Sequence, residues 1–120
     1  MTLREIKDIL NAEVLCGEHL LERKAETAFA CDLISEMLAL ANSNTLIVTS
    51  LINPHVIHTA EIMDAVGVIF VGGKKLSEDI IKNLDHGNIP VLSTPFLMFN
   101  TCGLLFSKGI KGCIRGKRFE

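Results

Sequence analysis

Three short, unbroken apolar runs, Leu46–Val48, Val68–Val71 and Ile89–Leu92, constrain this chain more than any other feature. Each is rich in aliphatic or β-branched residues, and each is too short for a helix. None alternates apolar with polar positions, so neither face of such a strand can look onto water. Helix-length segments separate the runs. From Asp32 onward the order is helix–strand–helix–strand–helix–strand–helix. That order predicts an α/β domain with a mostly parallel central sheet layered between helices. With 120 residues, 48% of them hydrophobic, the chain is long enough for one such core, and no linker divides it. We therefore expect a single domain over 1–120.

The remaining elements follow from caps and periodicity. Thr2 and Glu5 have capping-box spacing, and Leu3, Ile6, Ile9 and Leu10 form one apolar stripe. Glu13–Cys16 reads as a short strand closed by Gly17, and 24–30 as a second. Asp32 is expected to cap a helix running to Ala41, with Asn42-Ser-Asn44 as its stop. Asn53 and Pro54 suit the N-cap and first position of a helix that continues to Val66. Ser77 is the expected cap of the next helix, with Ile80, Ile81 and Leu84 inward and Lys82, Asp85 and His86 wet; Gly87-Asn88 ends it. Pro90 favours an edge or terminal place for its strand. Phe96–Ser107 is the last helix, and 109–114 a candidate return strand.

Composition excludes several functions. A formal charge of −2 argues against general capture of nucleic acid. Lys108, Lys111, Arg115, Lys117 and Arg118 gather near the C-terminus, either as a solvated end or as a phosphate or partner contact. No apolar run reaches the roughly 18 residues of a membrane span, and the opening Met1-Thr-Leu-Arg-Glu is patterned as a helix, not an export signal. Cys16, Cys31, Cys102 and Cys113 form no C-x-x-C pair. We expect them reduced, in a cytoplasmic protein.

Ligands of open parallel sheets meet the carboxyl ends of strands. Three such ends carry polar or flexible residues here: Thr49-Ser50-Leu51-Ile52-Asn53-Pro54-His55, Gly72-Gly73-Lys74-Lys75 and Ser93-Thr94-Pro95. The first lies in the strand–turn–helix junction from Thr45 to Ala65, the chain's richest local feature. Thr49 and Ser50 offer hydroxyls, the amides after Asn53 open a helix, and His55 and His58 sit nearby. Ligand contact and ordinary turn and cap chemistry are both open for these residues. Gly72-Gly73-Lys74 lacks the spacing of a phosphate loop, and no dinucleotide fingerprint is present; the glycines suit positive φ. Thr94 is either a ligand contact or a helix cap followed by Pro95. His55 and His58 lack an implied third ligand, so no metal site is expected. No catalytic acid, base or nucleophile set is recognisable, and no cofactor can be named.

The assembled pattern resembles the stand-alone DRTGG-domain family. The suggestive stretches are Thr2–Gly17, Ala28–Ala39, Thr49–Glu61, the strand ending in Gly72-Gly73-Lys74, and Ile89-Pro-Val-Leu-Ser-Thr. They cover nearly the whole chain. The string DRTGG itself is missing; its nearest counterpart is the Thr49–Asn53 turn, with Gly72-Gly73 as a separate glycine site. The family is similar to the N-terminal domain of bacterial HPr kinase/phosphorylase, to a middle domain of some phosphotransacetylases and to N-terminal domains of Mur ligases. The resemblance implies a layered α/β fold and a regulatory, ligand-binding or assembly role without kinase or acetyltransferase activity. The expectation is a non-catalytic, homodimeric sensor. It would bind a small anionic metabolite or nucleotide, or a metabolic or signalling protein, through Thr49, Ser50, Asn53, His55, Gly72, Gly73, Lys74 and Thr94. The alternative is a purely structural interaction module attached to a metabolic enzyme.

Overall fold

The computed structural model describes residues 1–41, 43–84 and 88–113. The expectations for Asn42, for Asp85, His86 and Gly87, and for Ile114, Arg115, Lys117 and Arg118 lie outside them. Among the described residues five strands form one sheet: β1 (Glu13–Cys16), β2 (Thr27–Ala30), β3 (Thr45–Thr49), β4 (Gly67–Phe70) and β5 (Val91–Ser93). Among the described residues five α-helices accompany it: α1 (Leu3–Ile9), α2 (Ile34–Leu40), α3 (Pro54–Ile62), α4 (Glu78–Leu84) and α5 (Met98–Ser107). The strand order is β1-β5-β4-β3-β2. β2 through β5 are mutually parallel, and β1 adds antiparallel to β5. The expected α/β class and mostly parallel sheet are what the chain forms.

The parallel strands lie side by side in chain order. Crossovers that share one hand must then place their helices on one face. Met37 of α2, Val56, Ile57 and Ala60 of α3, and Ile80, Ile81 and Leu84 of α4 pack there against Ile47, Val68, Phe70 and Val91. The alternate residues Leu46, Val48, Ile69 and Leu92 point the other way. They meet Leu3, Ile6 and Leu10 of α1 and Leu105 of α5. Both faces are dry, which is why the central strands read as continuous apolar runs. Their order never reverses within β2–β5, so the crevice opened by a reversal in doubly wound sheets has no place among them.

Several local expectations shift. The capping box at Thr2 and Glu5 forms, with Glu5 N–H donating to Thr2 Oγ1 at 3.2 Å and Thr2 N–H to Glu5 Oε1 at 3.0 Å. Asn53 caps α3 as expected. Leu33, not Asp32, is the N-cap of α2, and Leu97, not Thr94, is that of α5. Among the described residues after α5, Lys111 makes a parallel bridge to Thr27 and none belongs to a strand. Pro90 precedes a central strand, where its missing N–H is harmless and its carbonyl accepts from Val68 N–H at 3.0 Å. Gly17 is required at the turn after β1. Its φ is +76°, and a Cβ there would lie 2.6 Å from Pro90 Cα.

Candidate ligand site at the strand ends

Because β2 through β5 are parallel, their carboxyl ends share one edge of the sheet. Around that edge the polar residues bond to one another. Asp32, just beyond β2, reaches across to the end of β3. Its Oδ1 accepts from Thr49 Oγ1 at 2.8 Å and from Ser50 N–H at 2.7 Å, and its Oδ2 accepts from Ser50 Oγ at 2.6 Å. Thr49 Oγ1 in turn accepts from Leu51 N–H at 3.1 Å, which sets the turn leaving β3. Lys74, from the loop after β4, donates through Nζ to the Ser50 carbonyl at 3.0 Å. Ser93 Oγ, at the end of β5, donates to the Lys74 carbonyl at 2.6 Å.

The glycine turn is fastened to the loop after β5. Gly72 N–H donates to the Phe96 carbonyl and Gly73 N–H to the Thr94 carbonyl, each at 2.8 Å. Both glycines have positive φ, +79° and +73°. Thr94 is fully buried. Its hydroxyl donates to the Leu10 carbonyl at 2.6 Å and accepts from Phe96 N–H at 3.2 Å, tying α1 to the start of the α5 loop.

The accessible part of this edge is therefore narrower than the set of eight expected residues. Ser50 and Asn53 are half-buried; His55, Gly72, Gly73 and Lys74 are exposed. Thr49 and Thr94 lie beneath them, 0% exposed, and act as supports. Asn53 Oδ1 accepts from His55 N–H at 2.8 Å, an ordinary cap.

Asp32 is the residue that sequence reasoning passed over. It was expected to cap α2, yet its carboxylate serves the neighbouring strand end. The signal was present, since Asp32 follows β2 as Ser50 follows β3. The Ser50 hydroxyl bond, then the Ser50 amide and Thr49 hydroxyl, hold the Asp32 carboxyl below the usual aspartate range against the opposing effect of desolvation; Lys74 acts in the same direction. An ionised carboxylate with three donors keeps acceptor capacity for one more. Asp32 and Lys74 thus present an acceptor and a cationic donor on either side of Ser50.

Other features of the molecule differ in kind. An apolar cavity of about 130 Å³ lies between β2, β3 and α5, lined by Ala28, Val48, Cys102, Leu105 and Ile110 among others. Polar grooves beside Arg23 and Asp64 open at the opposite, amino ends of the strands. Burial pushes the Cys31 and Cys102 thiols up, away from the range of an activated nucleophile. Among the described residues no group of three His, Cys, Asp or Glu is placed to hold a metal ion, and no helix is long and apolar enough to cross a membrane.

The model of the DRTGG domain matches residues 5–106, most of the chain. This chain belongs to the DRTGG domain family. No curated protein matches it. Among solved structures, this DRTGG domain is similar to the CBS and DRTGG domains of the regulatory region of Clostridium perfringens pyrophosphatase, complexed with its activator diadenosine tetraphosphate. The TM-score is 0.68 at 18% identity, over 87% of this chain and 45% of that one. The chain thus spans under half the length of that solved relative, and the likeness is one of fold.

Proposed function

We propose that this DRTGG domain is a non-catalytic regulatory module that binds a small nucleotide-like or anionic ligand at the strand ends and works as a homodimer. The observation that carries the proposal is the Asp32–Ser50–Lys74 arrangement. It offers a charged acceptor and a charged donor on one exposed edge, supported from beneath by buried Thr49, Ser93 and Thr94. A nucleotide has both complements: hydroxyl and amine donors for a carboxylate, and phosphate oxygens for a lysine. Gly72 and Gly73 leave the adjacent backbone uncovered, and a Cβ on Gly73 would meet nothing within 4 Å. Ser50, Asn53, His55, Gly72, Gly73 and Lys74 would contact the ligand; Thr49 and Thr94 would hold the loops. The pyrophosphatase relative supports the regulatory part, because its regulatory region contains CBS and DRTGG domains and is complexed with an activator, diadenosine tetraphosphate.

Calorimetry against diadenosine tetraphosphate, adenine mononucleotides and inorganic phosphate tests this. Saturable binding that weakens at least tenfold in both Lys74→Ala and Asp32→Asn is expected. No heat from any of these, or unchanged affinity in both folded variants, would overturn it.

A second reading has its own observation. Phe99 and Phe106 of α5 are 88% and 74% exposed, which favours an interaction module that recruits a protein partner, with the strand-end bonds serving only to hold turns. Partner or self-association indifferent to every nucleotide in the panel would favour it.

A further inference from the structure

α5 is the only helix among those described that carries no charged or histidine side chain. On a surface helix this is unusual, because the outward stripe normally takes the charges. Here that stripe holds Phe99, Gly103 and Phe106. Thr101 and Leu105, on the opposite side, are buried. At 100° per residue the three outward positions fall within one narrow sector, and the phenylalanines stand two turns, about 10 Å, apart. Gly103 lies between them. A Cβ at this position would meet nothing within 4 Å, so the protomer itself gives no reason for a glycine inside a helix. Relative to alanine, a glycine inside a helix is destabilising.

We propose that α5 is the twofold seam of the homodimer, packing antiparallel against α5 of a second copy. It rests on the homodimer in the function proposed above and names its surface. A twofold axis perpendicular to α5, passing between Cys102 and Gly103, sets Phe99 of each copy opposite Phe106 of the other. The two aromatic pairs then flank a centre where glycine lets the backbones approach. In such an isologous contact the same patch faces itself, so charge of one sign on it would be brought up against like charge on the other copy. The absence of charge on α5 satisfies that requirement.

The area is also of the right order. At about 200 Å² per phenylalanine, the exposed parts of Phe99 and Phe106 amount to about 320 Å² per protomer. A twofold contact doubles this to about 650 Å². That is over half the roughly 1,200 Å² at the lower end of stable interfaces, before Asn100, Cys102 and Ser107 add theirs. The seam is joined to the ligand loops as well. Gly72 and Gly73 bond to the Phe96 and Thr94 carbonyls, one turn before α5 begins. A ligand that shifts the glycine turn would therefore act on the entry of the seam helix.

Sedimentation equilibrium of the whole chain over a concentration series tests this, with circular dichroism to verify folding. The wild type is expected to dimerise. Gly103→Leu should fold, given the open space, yet dimerise at least tenfold more weakly. A Phe99→Glu/Phe106→Glu double variant should be monomeric alone and recover a dimer when mixed with Phe99→Lys/Phe106→Lys. A monomeric wild type would overturn both the seam and the homodimer. A wild-type dimer that survives in the folded Gly103→Leu and double-glutamate variants would overturn the seam alone. Ligand binding is read separately by calorimetry and stands or falls independently.

Discussion

Removal of the Asp32 carboxylate should destabilise the domain even without ligand. Asp32→Ala removes three hydrogen bonds, but they are not equal. The Thr49 hydroxyl is fully buried and donates to Asp32 at 2.8 Å, so its proton would lose its acceptor while its oxygen keeps the Leu51 N–H. A buried donor left unsatisfied costs about 1–3 kcal/mol. The Ser50 amide and hydroxyl lie nearer solvent and can rehydrate, adding about 0.5 kcal/mol together after solvent screening. The expected loss is about 2 kcal/mol, a large part of a marginal stability. Asp32→Asn retains an acceptor for Thr49 and should cost less than half as much. It also isolates the charge. The folded carboxyl titrates below its unfolded value, so the unfolded chain binds more protons in acid and the contribution of Asp32 to stability grows with pH. The stability difference between wild type and Asp32→Asn should be full above about pH 5 and shrink as pH falls through the aspartate range. Urea unfolding at stepped pH measures both effects. An Asp32→Ala loss under 0.5 kcal/mol, or a wild-type-minus-Asn difference that stays constant into acid, would refute the reasoning.

Two further predictions concern the supports of the site. Gly17→Ala must place a Cβ against the Pro90 backbone at positive φ, whereas Gly73→Ala meets open space at nearly the same φ. Thermal unfolding should show about 3 kcal/mol or more lost in the first and about 1 kcal/mol in the second; equal losses would sink the steric account of Gly17. Thr94→Val keeps the shape but deserts the Leu10 carbonyl and Phe96 N–H, so chemical denaturation should report about 1–3 kcal/mol lost, with Thr94→Ser close to wild type. Valine as stable as threonine would show that the hydroxyl is idle.

The sequence by itself determined the layered α/β class. Runs such as Leu46–Val48 and Val68–Val71 allow no wet face, and the capping chemistry at Thr2, Glu5 and Asn53 is local, involving residues within three positions of one another. It also marked Ser50, Gly72, Gly73 and Lys74 as polar breaks at strand ends. Tertiary structure decided which of these meet, because hydrogen bonds between loops depend on strand order and register, which local patterns do not encode. Asp32 looked like a cap because its nearest sequence neighbours begin a helix; the parallel pairing of β2 with β3 sets it beside Thr49 and Ser50 instead. Thr94 looked available and is sealed by α1, an element 84 residues away in the chain. The exposure of Phe99 and Phe106 was not legible either, since apolar positions of a helix are visible in a sequence but the side that faces the sheet is not. The opening pattern of apolar strands thus specifies the scaffold, and packing alone selects which of its polar ends and apolar faces stay exposed.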